Sequence, residues 1–197
     1  MSYFRSYFEK NNTIIKKSSA NTAKNPTTEI FYGSGFSKFL FKVDLTNLQK
    51  RINSGDFIVD SNTKHTLKMT NTIFGDEGFK GQGRSTGRDR ATSFNLVIFR
   101  IPEFWNEGVG FDYEDGGYDF TKGNLTFDVR PSNWFYRDTE HEWTTAGVYD
   151  VEPDIVATVN FDNGDENLEA DITDYINGLL TGDTNNGLGI AFSDIYQ

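Results

Sequence analysis

The stretch LEADITDYINGLLTGDTNNGLGIAFSDI, Leu168 to Ile195, joins one amphipathic helical pattern to a strand that follows almost at once. Asp171 stands where an N-cap belongs, and Asp174, three residues on, suits the exposed amides and positive dipole end of the first turn. Ile172, Ile176, Leu179 and Leu180 recur at i, i+4, i+7 and i+8, one apolar stripe on a helical period. Gly182 is the natural stop, because glycine enters the left-handed C-terminal conformation at little cost. Asn185, Asn186 and Gly187 then turn the chain into the apolar run Leu188 to Phe192. The spacing predicts a helix from Asp171 to Leu180, the one substantial helix of the chain.

Upstream the period is two. Phe39, Phe41 and Val43 alternate with Leu40, Lys42 and Asp44, which reads as a half-buried strand within Phe36 to Leu45. Ala91 to Arg100 reads as a central strand. Thr13–Lys17, Glu29–Tyr32, Phe57–Val59, His65–Phe74, Leu125–Val129 and Asp154–Phe161 read as further short ones. Leu45 to Arg51 suggests a short helical turn, and Tyr3 to Phe8 an edge strand or an arm. Aromatic residues make up 15% of the chain, with 18 Phe and 9 Tyr, which suits pleated surfaces better than helix bundles. The 19 Gly against 4 Pro make glycine the main turn former. The expectation is an all-β protein, a single jelly-roll-like antiparallel β-sandwich over residues 1–197 with one short helix near the C-terminus. Gln197 follows a strand that reads as buried, where such sandwiches need another strand to close. Either the first strand fills that place or the 197 residues lead a longer polypeptide.

Charge and composition exclude whole classes of partner. A formal charge of −10 repels phosphate backbones, so Arg84, Arg88, Arg90 and Arg100 read as a solvated basic loop and not as a nucleic-acid site. With no cysteine, disulfide scaffolds, thiolate metal sites and thiol nucleophiles are excluded. The opening MSYFRSYFEKNN lacks the apolar region of a signal peptide, and no run reaches membrane-spanning length.

Motifs for catalysis are missing their essential parts. GQGRSTGRD, Gly81 to Asp89, departs from a phosphate-binding loop, which needs four residues between its glycines and then Lys and Ser or Thr. FDYEDGGYDF gathers acids for a hard cation, but the glycine and glutamate positions of a Ca²⁺-binding loop are absent. No metal is expected; an ion, if bound, would rest on Asp112, Asp115 and Asp119. NGDEN, with Asp162, Asp165 and Glu166 around it, reads as a solvated hairpin. Glu103, Glu107, Glu140 and Glu142 lie near aromatics, as a glycosidase pair would, yet a chain with 29 acids places some there by chance. His65 and His141 have no nucleophile context. Trp105, Trp134 and Trp143 would stack on sugars if exposed; burial at strand–loop junctions is the expected fate. The chain is read as non-enzymatic and free of cofactors.

Three landmarks in order resemble DNRLRE-type domains: FSKFLFKVDLTNL (Phe36 to Leu48), then FWNEGVG with PSNWFYRDTEHEWTTAGVYD (Phe104 to Gly110, Pro131 to Asp150), then DITDYINGLL and NNGLGIAF (Asp171 to Phe192). The chain departs from that pattern at Lys42, which replaces a core-flanking residue, and at the closing strand. The resemblance implies a jelly-roll sandwich attached to secreted or phage proteins, some of them carbohydrate-binding. The phrase NNTIIKKSSANTAKNPTTEIFYG and the Phe, Asn and Asp richness further resemble virion structural proteins of tailed bacteriophages of the crAss-like type. That resemblance implies a structural component of the neck, tail or a head-attached fibre, assembled in the host cytoplasm as an oligomer. Its partners would be other virion proteins and further copies of itself. The alternative it leaves open is a carbohydrate-binding module.

Two segments are longer than sandwich turns need, Gly75 to Arg90 and Trp105 to Gly123. The first carries Lys80, Arg84, Arg88 and Arg90 on an acidic chain, a positive patch suited to acidic neighbours, including the Asp112 to Asp119 stretch of another copy.

Overall fold

The computed structural model describes residues 3–18, 21–23, 28, 30–33, 35–71, 93–108, 131–149 and 153–196. Its elements are β1 (Phe8–Ile15), β2 (Ser37–Val43), α1 (Thr46–Asn53), β3 (Thr66–Met69), β4 (Phe94–Arg100), β5 (Ile155–Phe161), β6 (Leu168–Asp171), α2 (Thr173–Thr181) and β7 (Leu188–Phe192), closed by a 3₁₀ turn over Ser193–Tyr196. Five strands form one sheet in the order β1-β2-β7-β4-β5, and β3 pairs with β6 in a second. Every pairing is antiparallel. The class is therefore the expected all-β sandwich. A jelly roll has eight strands in two Greek keys, and the described strands, five and two, do not define that topology.

The β3–β6 ribbon and α2 cover one face of the large sheet. Leu67, Leu168 and Ala170 from the ribbon join Ile172, Ile176 and Leu179 against Phe39, Phe41, Leu96, Ile98, Leu188 and Ile190. The predicted stripe is thus the helix's buried face, with Leu180 partly buried at its margin. Gly182 closes α2 at φ +119°, in the conformation expected of it. Asp171 is one position out of place. Leu168 and Ala170 point inward and Glu169 and Asp171 outward, so LEAD enters the ladder with β3 (Thr66 opposite Asp171) and the N-cap falls on Ile172. Asp171 still serves the helix, because its Oδ1 accepts the Thr173 N–H at 2.9 Å. The Thr173 hydrogen bonds, with Lys64 nearby, hold its carboxyl down at about 2.

A second helix corrects the expectation of one. The suspected turn at Leu45 runs on to Asn53, with Leu48 buried, the Asp44 carboxylate accepting the Thr46 N–H at 2.8 Å, and Lys50 and Arg51 favouring the C-terminal end of the dipole. Other boundaries move too. β1 begins at Phe8, while Phe57–Val59 forms no strand and Tyr32 makes only an isolated bridge to Phe36. NGDEN is no hairpin: β5 lies in one sheet and β6 in the other, and the turn between them is tied by Glu166 Oε1, which accepts the Asp162 and Asn163 N–H groups. The terminal strand β7 sits between β2 and β4, so β1 does not close it and forms the far edge instead. The predicted strand Leu125–Val129 lies outside the described residues, as do Gly75 to Arg90 and most of Trp105 to Gly123.

β2 is not half-buried. Ser37 to Phe41 are all enclosed, because the irregular segment 131–149 covers the sheet's second face. That cover carries the tryptophans.

Candidate functional site

Trp105, Trp134 and Trp143 are 0%, 9% and 4% exposed and pack with Ile14, Leu40, Val97, Phe99, Ile101 and Ala191 as a second core. Two indole N–H groups are satisfied, Trp105 by Asn186 O and Trp143 by Asn133 O, each at 2.8 Å. Burial was the expected fate, although these rings line a face of the sheet and do not cap its open end.

A lysine runs beneath them. Lys38, on β2, is 1% exposed and donates to Gly147 O (2.8 Å) and Tyr149 O (2.5 Å), with its ammonium 5.5 Å from the Trp134 ring centroid. Between those carbonyls, Val148 is buried at φ +77°, a conformation rare for a β-branched residue. Lys38 thus pins the strained turn that brings Val148 into the core. Alternation gave no hint of it, since Lys38 falls on the face expected to meet water. Lys42, the departure noted above, is ordinary by comparison and pairs with Glu9 at 3.0 Å.

At the β1 edge a polar network joins three segments. Asn21 Nδ2 donates to Glu107 O (2.8 Å) and Ser132 O (3.0 Å). Asn12 Nδ2 donates to Ser132 O (2.8 Å) and Oγ (3.0 Å), and its Oδ1 accepts the Thr22 N–H. Glu107 Oε1 accepts the Asn11 N–H at 2.9 Å. Residues 107–108 and 131–132 are thereby held side by side. They approach so closely that a Cβ on Gly108, at φ +95°, would fall 2.1 Å from Pro131 Cβ. The chain between them leaves and returns at one clamped point. Sequence reasoning missed this clamp; the asparagines of NNT and SAN were its only trace.

Lys10 lies beside the clamp. Its ammonium is 4.4 Å from both the Phe104 and Trp105 ring centroids and donates to Trp105 O. Desolvation and the nearby Lys42 bring the amine down to about 8, against the opposing pull of Glu9 and Glu107.

The other charged candidates are occupied in building turns. Asp138 accepts the Glu140 and His141 N–H groups and lies 2.8 Å from His141 Nδ1, with its carboxyl held below the usual range by those hydrogen bonds against its own burial. No hydroxyl bonds to the imidazole among the described residues. Glu103 accepts the Thr144 N–H and faces Arg137 Nε at 3.4 Å. His65 spans α2's approach through its backbone, and burial pushes its imidazole down. Among the described residues no three His, Asp or Glu side chains converge on a metal position. Asp112, Asp115, Asp119, Lys80, Arg84, Arg88 and Arg90 all lie outside the described residues.

Set against known proteins, the chain matches no family model, no curated protein and no solved structure.

Proposed function

We propose that the chain is a non-enzymatic structural component of a tailed-phage virion, of the neck, tail or a head-attached fibre, working through contacts with other virion proteins and further copies of itself. The phage assignment comes from the resemblance of its sequence to such proteins. The observation that favours a scaffold is the use of its buried polar side chains. Asn12, Asn21 and Lys38 all tie backbone to backbone, and Glu103 and Asp138 lock turns. A carbohydrate-binding role loses its main support, because all three indoles are enclosed.

Segment 72–92 springs from the β5–β6 turn, where Asn71 bonds Gly164 and Asn167 and Phe94 pairs with Phe161. Segment 109–130 springs from the clamp beyond Trp105, at the other end of β4. In this reading Lys80, Arg84, Arg88 and Arg90 of one copy meet the Asp112 to Asp119 stretch of the next, head to tail. Such contacts close into rings or propagate into fibres.

Deletion of Gly78 to Gly87 tests the reading. The melting temperature should hardly move, because shortening a loop changes its closure entropy little, and incorporation into particles should be lost. Normal incorporation with unchanged infectivity would overturn the assignment of this segment.

A further inference from the structure

The two edges of the five-stranded sheet are built differently. β1 is guarded: it carries Glu9 and Lys10, its Asn11 N–H is taken by Glu107, and Asn12 is tied to Ser132 and Thr22. β5, IVATVNF, has no charge and no proline over seven residues and is rich in β-branched side chains. Natural sheets seldom leave an edge without a charge, a proline, a bulge or a cover. β5 has a bulge between Ile155 and Ala157, while Ala157 to Phe161 pair with β4 in unbroken register.

The direction of its backbone groups follows from two hydrogen bonds. Arg100 N–H donates to Asp154 O at 2.9 Å, while Ile101 N–H donates to Gly187 O at 3.0 Å. Even-numbered residues of β4 therefore face β5, and odd-numbered ones face β7. Leu96 is opposite Val159 and Phe94 opposite Phe161, so Val159 and Phe161 spend their backbone groups on β4. Thr158 and Asn160 point theirs outward. No hydrogen bond reaches those outward groups among the described residues. Ile155, at the start of the strand, is 47% exposed.

We propose that β5 docks a second copy of this chain, pairing with its own counterpart antiparallel across a two-fold axis and joining the two sheets into one. The strand is self-complementary in both faces. Ala157, Val159 and Phe161 line the core side, and Thr158 and Asn160 the other, where Asn160 Nδ2 donates to Asn95 Oδ1 at 3.0 Å. Antiparallel pairing sets opposite residues on the same face. With Val159 on the axis, Thr158 meets Asn160 of the second copy, and apolar and polar rows each continue into their own kind. Asp162 then falls opposite the bulge at Val156, and Asp154, beyond the bulge, falls near Asn163 and Gly164, so no acid opposes an acid. An uncharged edge matters in a chain of net charge −10, since it lets two copies meet without adding like charges at the contact. The long-range repulsion that remains is screened by salt. This pairing does not rest on the virion reading and stands or falls separately.

The test is sedimentation of the full chain from about 1 to 200 μM, in NaCl of about 0.05 and 0.5 M. The expected result is a monomer–dimer equilibrium whose dissociation constant falls several-fold in high salt. Thr158→Pro removes only an outward N–H, and Thr158→Lys adds the missing edge charge; both should be monomeric with the parental melting temperature. If Thr158→Pro does not fold, Thr158→Lys decides. A parent that stays monomeric at every concentration and salt overturns the proposal, and so does a dimer that persists in a folded Thr158→Lys.

Discussion

Replacing Asn21 by Ala probes the clamp at its centre. Asn21 Nδ2 bridges Glu107 O and Ser132 O, and both carbonyls lose it together. They do not suffer equally. Ser132 O keeps the Asn12 amide at 2.8 Å, whereas Glu107 O loses the amide that joins it to Ser132, although the Ser132 N–H still bonds Asn106 O at 2.9 Å. A buried polar group deprived of its partner costs about 1–3 kcal/mol, and one such loss with a partial second puts Asn21→Ala at about 2 kcal/mol. In a domain of this size that lowers the melting temperature by roughly 4–8 °C. Asn12→Ala should cost about as much, since Ser132 O then keeps Asn21. The double variant is the sharper experiment, because Ser132 O then loses both amides. Its destabilisation should exceed the sum of the two single losses by about 1 kcal/mol. Equilibrium urea unfolding with unchanged m-values reads this directly. Additivity within about 0.3–0.5 kcal/mol would show that the two asparagines do not share Ser132 and that the clamp is drawn wrongly.

Other outcomes follow from the same packing. Ile176→Asp sets an unpaired charge against Phe39 and Leu188 and should cost several kcal/mol, enough to unfold the domain; a parental melting curve would show that α2 packs elsewhere. Lys38→Met takes the donor from Gly147 O and Tyr149 O, so it should cost about 1–3 kcal/mol and release the Val148 turn; an unchanged midpoint in urea would refute that role. Lys10 has its amine lowered to about 8, so the unfolded chain binds the extra proton between that value and the ordinary lysine range, and Lys10's cost to stability should be relieved as pH rises through that window. Against Lys10→Met the parent should therefore gain stability from pH 8 upward, and parallel profiles would contradict the burial of that ammonium. Asp171 is held at about 2, so its carboxyl resonance should titrate there; a midpoint near 4 would mean that the bond to Thr173 is not made.

Periodicity read α2 and the apolar side of the large sheet well, because Ile172, Ile176 and Leu179 bury on a single face and strands paired within one sheet keep a period of two. It failed where a segment without regular structure supplies the cover. Ser37 to Phe41 are enclosed on both sides because 131–149 covers the face away from α2, and no alternation within β2 reports a lid that arrives about a hundred residues later. Lys38 was invisible for the same reason: a lysine on an alternate face reads as solvated unless the carbonyls of Gly147 and Tyr149 are known to converge on it. The clamp depends on contacts between Asn21, Glu107 and Ser132, separated by many residues and carrying no spacing rule. Asp171 shows a local competition instead. The same four residues LEAD satisfy a strand ladder and a helix entry, and pairing with Thr66 decided between them. The basic and acidic segments read as contact surfaces were legible only as charge, in Lys80, Arg84, Arg88 and Arg90 and in Asp112, Asp115 and Asp119.

Quantitative mass spectrometry of purified phage particles tests the virion proposal most directly. Peptides of this chain should co-purify with the particles at a constant stoichiometry of several copies each, fixed through density-gradient and size separation. Expression in infected cells without any of the chain in purified particles would contradict it.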